Sequence, residues 1–159
     1  MGFLRVLLYQ IHWTVVLSGI ALCVVSLRGS RKLNAFLLAA YLVFIVYMTL
    51  MGREAGNGRL QLKLFWSYRL FWSNPKVRME ILNNIWLFVP LGTILYRLFP
   101  RFYIVFVPIL ISIAVEVSQY LLGVGLCELD DVVSNGLGGL IGILVGVVVD
   151  WVSRDREAK

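Results

Sequence analysis

The chain has 159 residues, of which 60% are hydrophobic and only 15% charged, and its mean hydropathy is +0.84. That balance excludes an ordinary soluble domain, in which about a quarter of the residues are charged. A formal net charge of +6 and a pI near 9.6 could suit nucleic acid, but Lys and Arg beside apolar spans normally meet lipid phosphates, so membrane lipids are the expected partner and nucleic acid is not.

A run of about twenty apolar residues is what a helix needs to cross roughly 30 Å of hydrocarbon. Five runs qualify, and no soluble domain remains between them. Residues 1–159 are therefore expected to form a single all-α membrane domain, a polytopic helix bundle of about five spans.

The first run covers residues 3–27, interrupted only by Arg5, Gln10 and His12 near its start. It is long and lacks a small-x-small cleavage site, which favours a retained anchor over a removed signal. Leu22 precedes Cys23 where a lipoprotein cysteine would want a small residue, so lipidation is not expected. His12 has no second ligand at metal spacing and reads as a packing residue. Arg28, Arg31 and Lys32 separate this run from the second, residues 33–51.

The connection that follows contains residues 60–72, too short and charged to span. Its mixture of aromatic and basic residues suits an interfacial segment between spans two and three. The third and fourth runs, residues 83–99 and 102–122, meet at Pro100 and Arg101 and read as a hairpin. Pro90 lies inside the third run, where it removes a backbone donor and predicts a kink; Gly92 follows as a second architectural residue. The fifth run, residues 132–152, carries Gly138, Gly142 and Gly146 at four-residue spacing before the charged tail from Arg154 to Lys159. Small residues so spaced let another helix approach closely, which predicts a central position.

Span alternation places the turns at residues 28–32 and 97–101 on one face with the C-terminus. That face carries Arg28, Arg31, Lys32, Arg97, Arg101, Arg154, Arg156 and Lys159. The opposite face receives Arg5, Arg53, Arg59, Lys63, Arg69, Lys76 and Arg78, most of them spread along one long connection. Positive charge in short loops marks the cytoplasmic side, so the C-terminus is expected inside and the N-terminus outside. Cys127 then falls on the other side from Cys23, and no disulfide between them is expected.

The polar residues converge on the outer face. Glu116 and Gln119 are three apart on the fourth helix and share one side of it. Asn84 starts the third helix, while Glu128, Asp130, Asp131 and Asn135 flank the start of the fifth; Arg53 and Glu80 belong to the same end. A carboxylate in lipid costs several kcal/mol unless it meets a partner, water or a metal, which marks these residues as a candidate pocket. A plainer role exists for each: a polar clamp for Glu116 with Gln119, helix capping for Asp130 or Asp131, and interhelical glue for Asn84 and Asn135.

Several blocks together resemble the VanZ-like family: Arg53-Glu54, Trp66-Ser-Tyr68, Glu80, Asn84-Ile-Trp-Leu-Phe-Val-Pro-Leu-Gly92, Glu116-x-x-Gln119 and Cys127-Glu-Leu-Asp-Asp-Val-x-x-Asn135-x-x-Gly-Gly-x-x-Gly142. The resemblance covers about residues 41–146. It implies a small multi-pass protein of the bacterial cytoplasmic membrane, and its founding member is associated with resistance to the glycopeptide teicoplanin. It supplies no catalytic activity to transfer. Relatives often carry an arginine where this chain has Val124, which leaves Arg53 or Arg59 as the cation to balance the acidic cluster, or a pocket that has lost its activity.

Two function classes follow. One is a non-catalytic envelope protein that binds a lipid, a lipid-linked cell-wall precursor or an amphipathic antibiotic, with Arg53 or Arg59 on an anionic headgroup. The other is a membrane-embedded lipid-modifying enzyme in which Glu116, Glu128 and Asp131 act as general acid and base or hold a divalent cation. No other cofactor is evident, and five spans without a repeat make transport a weaker reading.

Overall fold

In the computed structural model, residues 13–51 and 59–157 are described. His12, Arg53, Glu54 and the start of the first apolar run lie outside them. The described chain is helical apart from two short strands: α1 (Trp13–Arg28), α2 (Arg31–Val46), β1 (Arg59–Gln61), α3 (Trp66–Arg69), α4 (Pro75–Leu98), α5 (Phe106–Leu122), β2 (Leu126–Glu128) and α6 (Leu129–Glu157). A π-helical turn, Tyr47–Met51, extends α2, and a 3-10 turn, Phe102–Val105, leads into α5.

Four helical segments are long and apolar enough to cross a membrane: Arg31–Met51, Pro75–Leu98, Phe102–Leu122 and Leu129–Arg154. A fifth apolar helix, Thr14–Arg28, is shorter within the described residues. The protein is thus an all-α multi-pass membrane bundle. Leu, Ile, Val and Phe side chains left exposed along α1, α2, α5 and α6, such as Leu17, Val43, Leu110 and Leu144, are what a surface in contact with acyl chains requires.

The bundle is organised around α4 and α6, its most extensive helix pair. Glycine makes that approach possible. A Cβ at Gly92 would lie 2.0 Å from the Gly139 carbonyl oxygen, one at Gly138 2.0 Å from that of Ile85, and one at Gly142 2.0 Å from that of Val89. Thr93 Oγ lies 3.1 Å from the Gly142 carbonyl oxygen and supplies a hydrogen bond across the seam. Gly146 faces the Tyr96 ring farther along the same stripe.

The remaining helices pack on this pair, α1 and α2 against α4, and α5 against α6. Ile45, Phe88, Leu91, Leu95 and Val115 form the apolar core where α2, α4 and α5 meet. Asn34, fully buried, closes the α1–α2 hairpin by donating to the carbonyls of Ser26, Gly29 and Ser30 and accepting from the Ser26 hydroxyl. The Ser26 and Gly29 carbonyls lie at the end of α1, where main-chain oxygens run out of intrahelical donors, and Ser30 caps the start of α2.

Helix α4 begins eight residues before the apolar run at 83–99. Asn74 caps it by accepting from the amides of Lys76 and Val77, and Pro75 occupies the first helical position. Both residues are typical of a helix start. Pro90 lies within the continuous helix, and the carbonyl of Leu87 in the turn before it accepts the Tyr41 hydroxyl at 2.9 Å. At the other boundary, α5 ends with Gly123 in the left-handed conformation (φ 66°), while the amide of Val124 donates back to the Gln119 carbonyl. This is a Schellman closure, and glycine there avoids the Cβ penalty.

Candidate functional site

The end of the bundle where α5 stops and α6 starts is organised by two contacts between distant segments. Strands β1 and β2 pair in parallel, with Arg59 opposite Leu126, Leu60 opposite Cys127 and Gln61 opposite Glu128. Beside them, Asp130 accepts hydrogen bonds from the amides of Phe65 and Ser67 and from the Ser67 hydroxyl, the last at 2.6 Å. These are the donors at the N-terminus of α3, where Phe65 adopts φ 60° and provides no side-chain cap. A carboxylate placed there satisfies orphan amides and meets the positive end of the helix.

Asp130 is only 1% exposed. Capping is the plainer role open to Asp130 or Asp131 in the first turn of α6, and the Asp130 carboxylate caps a different helix, α3. Tyr68 extends the same junction through a 2.8 Å hydrogen bond to Ser134, whose hydroxyl donates to the Asp130 carbonyl. Burial raises the Tyr68 phenol above its ordinary pKa; the Ser134 hydrogen bond opposes this, and the charges of Asp130 and Asp131 add to it. Arg78, 3% exposed at the start of α4, donates to the Phe71 carbonyl at 3.2 Å and fastens the far end of the segment.

Residues 59–72 therefore form a platform held across the bundle end. Its outward surface mixes exposed Leu60, Leu62, Leu64, Phe65 and Trp72 with exposed Arg59, Lys63 and Arg69. Arg59 is the candidate balancing cation that falls within the described residues, and the β pairing places it beside the loop containing Val124.

Below the platform, α5 turns a polar stripe inward: Ser112, Glu116 and Gln119 are all buried. Their spacing of four and then three residues keeps them on one helix face. Each reaches a different element. Ser112 accepts from Asn135 of α6 at 2.8 Å, Glu116 accepts from the backbone amide of Glu128 in β2 at 2.8 Å, and Gln119 donates to the Thr49 carbonyl in the π-helical turn at 3.0 Å. The Gln119 and Asn135 side-chain carbonyl oxygens are buried without hydrogen-bond partners among the described residues. Such oxygens cost about 1–3 kcal/mol each when left unsatisfied.

The candidate residues thus divide. Glu116, Gln119 and Asn135 belong to the buried stripe; Glu128 meets it through its backbone, with a half-buried side chain; Asp130 supports the platform. Asp131 is half-buried, next to Asp130 at the start of α6. Glu80 is exposed on α4 and Asn84 half-buried one turn later, and neither hydrogen-bonds to the stripe among the described residues. Cys127 sits beside the acidic groups: burial, then the charges of Glu116 and Glu128, push its thiol above the ordinary pKa. Both cysteines are free.

Oxygen donors dominate this end and would suit a hard cation. Among the described residues, no three or more His, Cys, Asp and Glu side chains converge in an arrangement that could hold a metal ion. Ser67, Tyr68, Ser112 and Ser134 are further members of the network that charge and amide patterning alone did not single out. Trp66-Ser-Tyr68 was visible as a block, whereas Ser112 becomes recognisable only as one turn before Glu116 on its buried face.

A family model described as VanZ/LLP1 matches residues 35–150, from the second span to the closing part of α6. No curated protein and no solved structure gives a significant match. The matched region includes the platform, the buried stripe and the α4–α6 glycine seam, and the chain belongs to the VanZ/LLP1 family.

Proposed function

We propose that the protein resides in the bacterial cytoplasmic membrane, with its C-terminus inside and the platform end outside, and binds an anionic cell-envelope lipid or lipid-linked wall precursor there. One observation carries this reading: a surface combining acyl-compatible side chains with Arg59, Lys63 and Arg69 is anchored by Asp130 directly over the buried Ser112–Glu116–Gln119 stripe. Arginine forks and the lysine ammonium suit phosphate oxygens, while Leu60, Leu62, Phe65 and Trp72 provide contact for a lipid chain. Occupying a precursor, or the amphipathic antibiotic that seeks it, would provide the route to teicoplanin resistance.

The test is capture of lipid by the purified full-length protein. Arg59→Gln, Lys63→Gln and Arg69→Gln combined should reduce retained lipid-linked precursor by about tenfold or more, the loss expected for charge-assisted contacts, while melting stays near wild type. Unchanged retention would remove the platform from consideration. An enzymatic reading has its own supporting observation, the 3% exposure of Glu116 beside Glu128 and Cys127. In that case Glu116→Gln should retain lipid but abolish its conversion, and a requirement for divalent cation would place oxygen ligands at the stripe. Conversion by the variant at the wild-type rate would eliminate Glu116 as the acid or base.

A further inference from the structure

The opposite end of the bundle contains a cavity of about 580 Å³ lined by Arg31, Arg97, Arg101, Phe99, Pro100 and Tyr103 among others. It opens where three crossing segments terminate: Arg31–Met51 begins, Pro75–Leu98 ends and Phe102–Leu122 begins. Phospholipid headgroups lie at that depth, and its volume falls within the range of small-molecule sites.

The charge of this cavity is defined by its neighbours. Arg97 donates to Asp150 at 3.0 Å, and its buried Nε has no hydrogen-bond partner among the described residues. Arg31 and Arg101 are exposed and make no ion pair among the described residues. Three arginines line the recess and Asp150 pairs with only one of them, so positive charge is in excess at this end. The adjoining aromatic surface is also exposed, with Phe102 87% and Tyr103 45% accessible.

We propose that this cavity binds the two-phosphate headgroup of an anionic glycerophospholipid. Arg31 and Arg101 provide the principal phosphate contacts, Arg97 contributes guanidinium N–H groups that Asp150 does not take, and the acyl chains descend past Phe102 and Tyr103. Arginine matches phosphate geometry in paired hydrogen bonds, and basic recesses between helix ends are suited to such lipids. This site is independent of the platform because it lies at the other end of α4, α5 and α6 and uses none of the platform residues.

Full-length protein in neutral detergent can be titrated with diphosphatidylglycerol, phosphatidylglycerol or phosphatidylcholine and followed by native mass spectrometry. Diphosphatidylglycerol should be retained preferentially, and Arg31→Gln with Arg101→Gln should weaken retention by about tenfold or more without lowering lipid-free melting. Lysine at both positions should restore part of the loss. Asp150→Asn should strengthen retention because it releases Arg97 and removes the opposing charge, a gain that a purely structural ion pair would not produce. Equal retention by the double glutamine variant would overturn the site. Equal retention of the one-phosphate lipid would overturn the two-phosphate assignment, and displacement by millimolar inorganic phosphate would identify a soluble-anion site instead.

Discussion

Gly142→Ala tests the helix seam that positions both ends of the bundle. The added Cβ would lie 2.0 Å from the Val89 carbonyl oxygen and 2.8 Å from the Thr93 amide nitrogen, both backbone atoms of α4. An ordinary carbon–oxygen contact is about 3.3 Å or more, so the helices would have to separate by roughly 1 Å, enough to forfeit a quarter to a half of the local dispersion well. Overpacking costs about 1–3 kcal/mol, and weakening the 3.1 Å Thr93–Gly142 hydrogen bond adds about 1 kcal/mol. Alanine's higher helix propensity returns about 1 kcal/mol, leaving a net loss of about 1–3 kcal/mol. Thermal melting in detergent should fall by about 2–12 °C. Gly136→Ala is the matched control because its Cβ would meet the Ile109 side chain at 3.2 Å, which can rotate away. Equal melting of Gly142→Ala and wild type, or an equal fall in both variants, would refute the close-packed seam.

Asp130→Ala should release the platform before it unfolds the bundle. Losing an acceptor for three donors costs about 3–5 kcal/mol locally, and hydrogen exchange should rise selectively across residues 62–72; uniform protection would contradict the capping role. Gln119→Met orphans the Thr49 carbonyl but removes a buried oxygen that has no hydrogen-bond partner among the described residues, two opposed costs of about 1–3 kcal/mol each, so stability should change by less than about 1 kcal/mol. A larger loss would show that this oxygen has a structural role. Cys127 alkylation should accelerate as pH rises, because its pKa is raised and little thiolate exists near neutrality. Glu116→Gln removes one of the charges that raise it, so reaction at fixed pH should quicken; an unchanged rate would separate the two groups.

The spans were legible because hydrocarbon demands uninterrupted apolar length, a signal carried by each segment on its own. The start of α4 was obscured by Lys76, Arg78 and Glu80, which depress local hydrophobicity, although Asn74-Pro75 is a recognisable helix entry. Glycine spacing on α6 was likewise readable, since a stripe at four-residue intervals follows from helix geometry. The β1–β2 pairing was not, because it joins segments more than sixty residues apart in a chain otherwise read as helical. Asp130 illustrates the same boundary: its charge near a helix start suggested capping, but only the tertiary arrangement identifies α3 as the helix it caps. The spacing of Glu116 and Gln119 revealed their shared face, whereas the partners Thr49, Ser112 and the Glu128 amide depend on neighbouring elements.

Precursor retained from native membranes by wild type and by the Arg59→Gln, Lys63→Gln, Arg69→Gln variant, quantified by mass spectrometry of the purified full-length proteins, bears directly on the platform as a lipid-binding surface. The variant should retain about tenfold less lipid-linked precursor at unchanged melting temperature, while Arg31→Gln with Arg101→Gln leaves precursor retention intact. Equal precursor retention by the platform variant and wild type would contradict the proposed function.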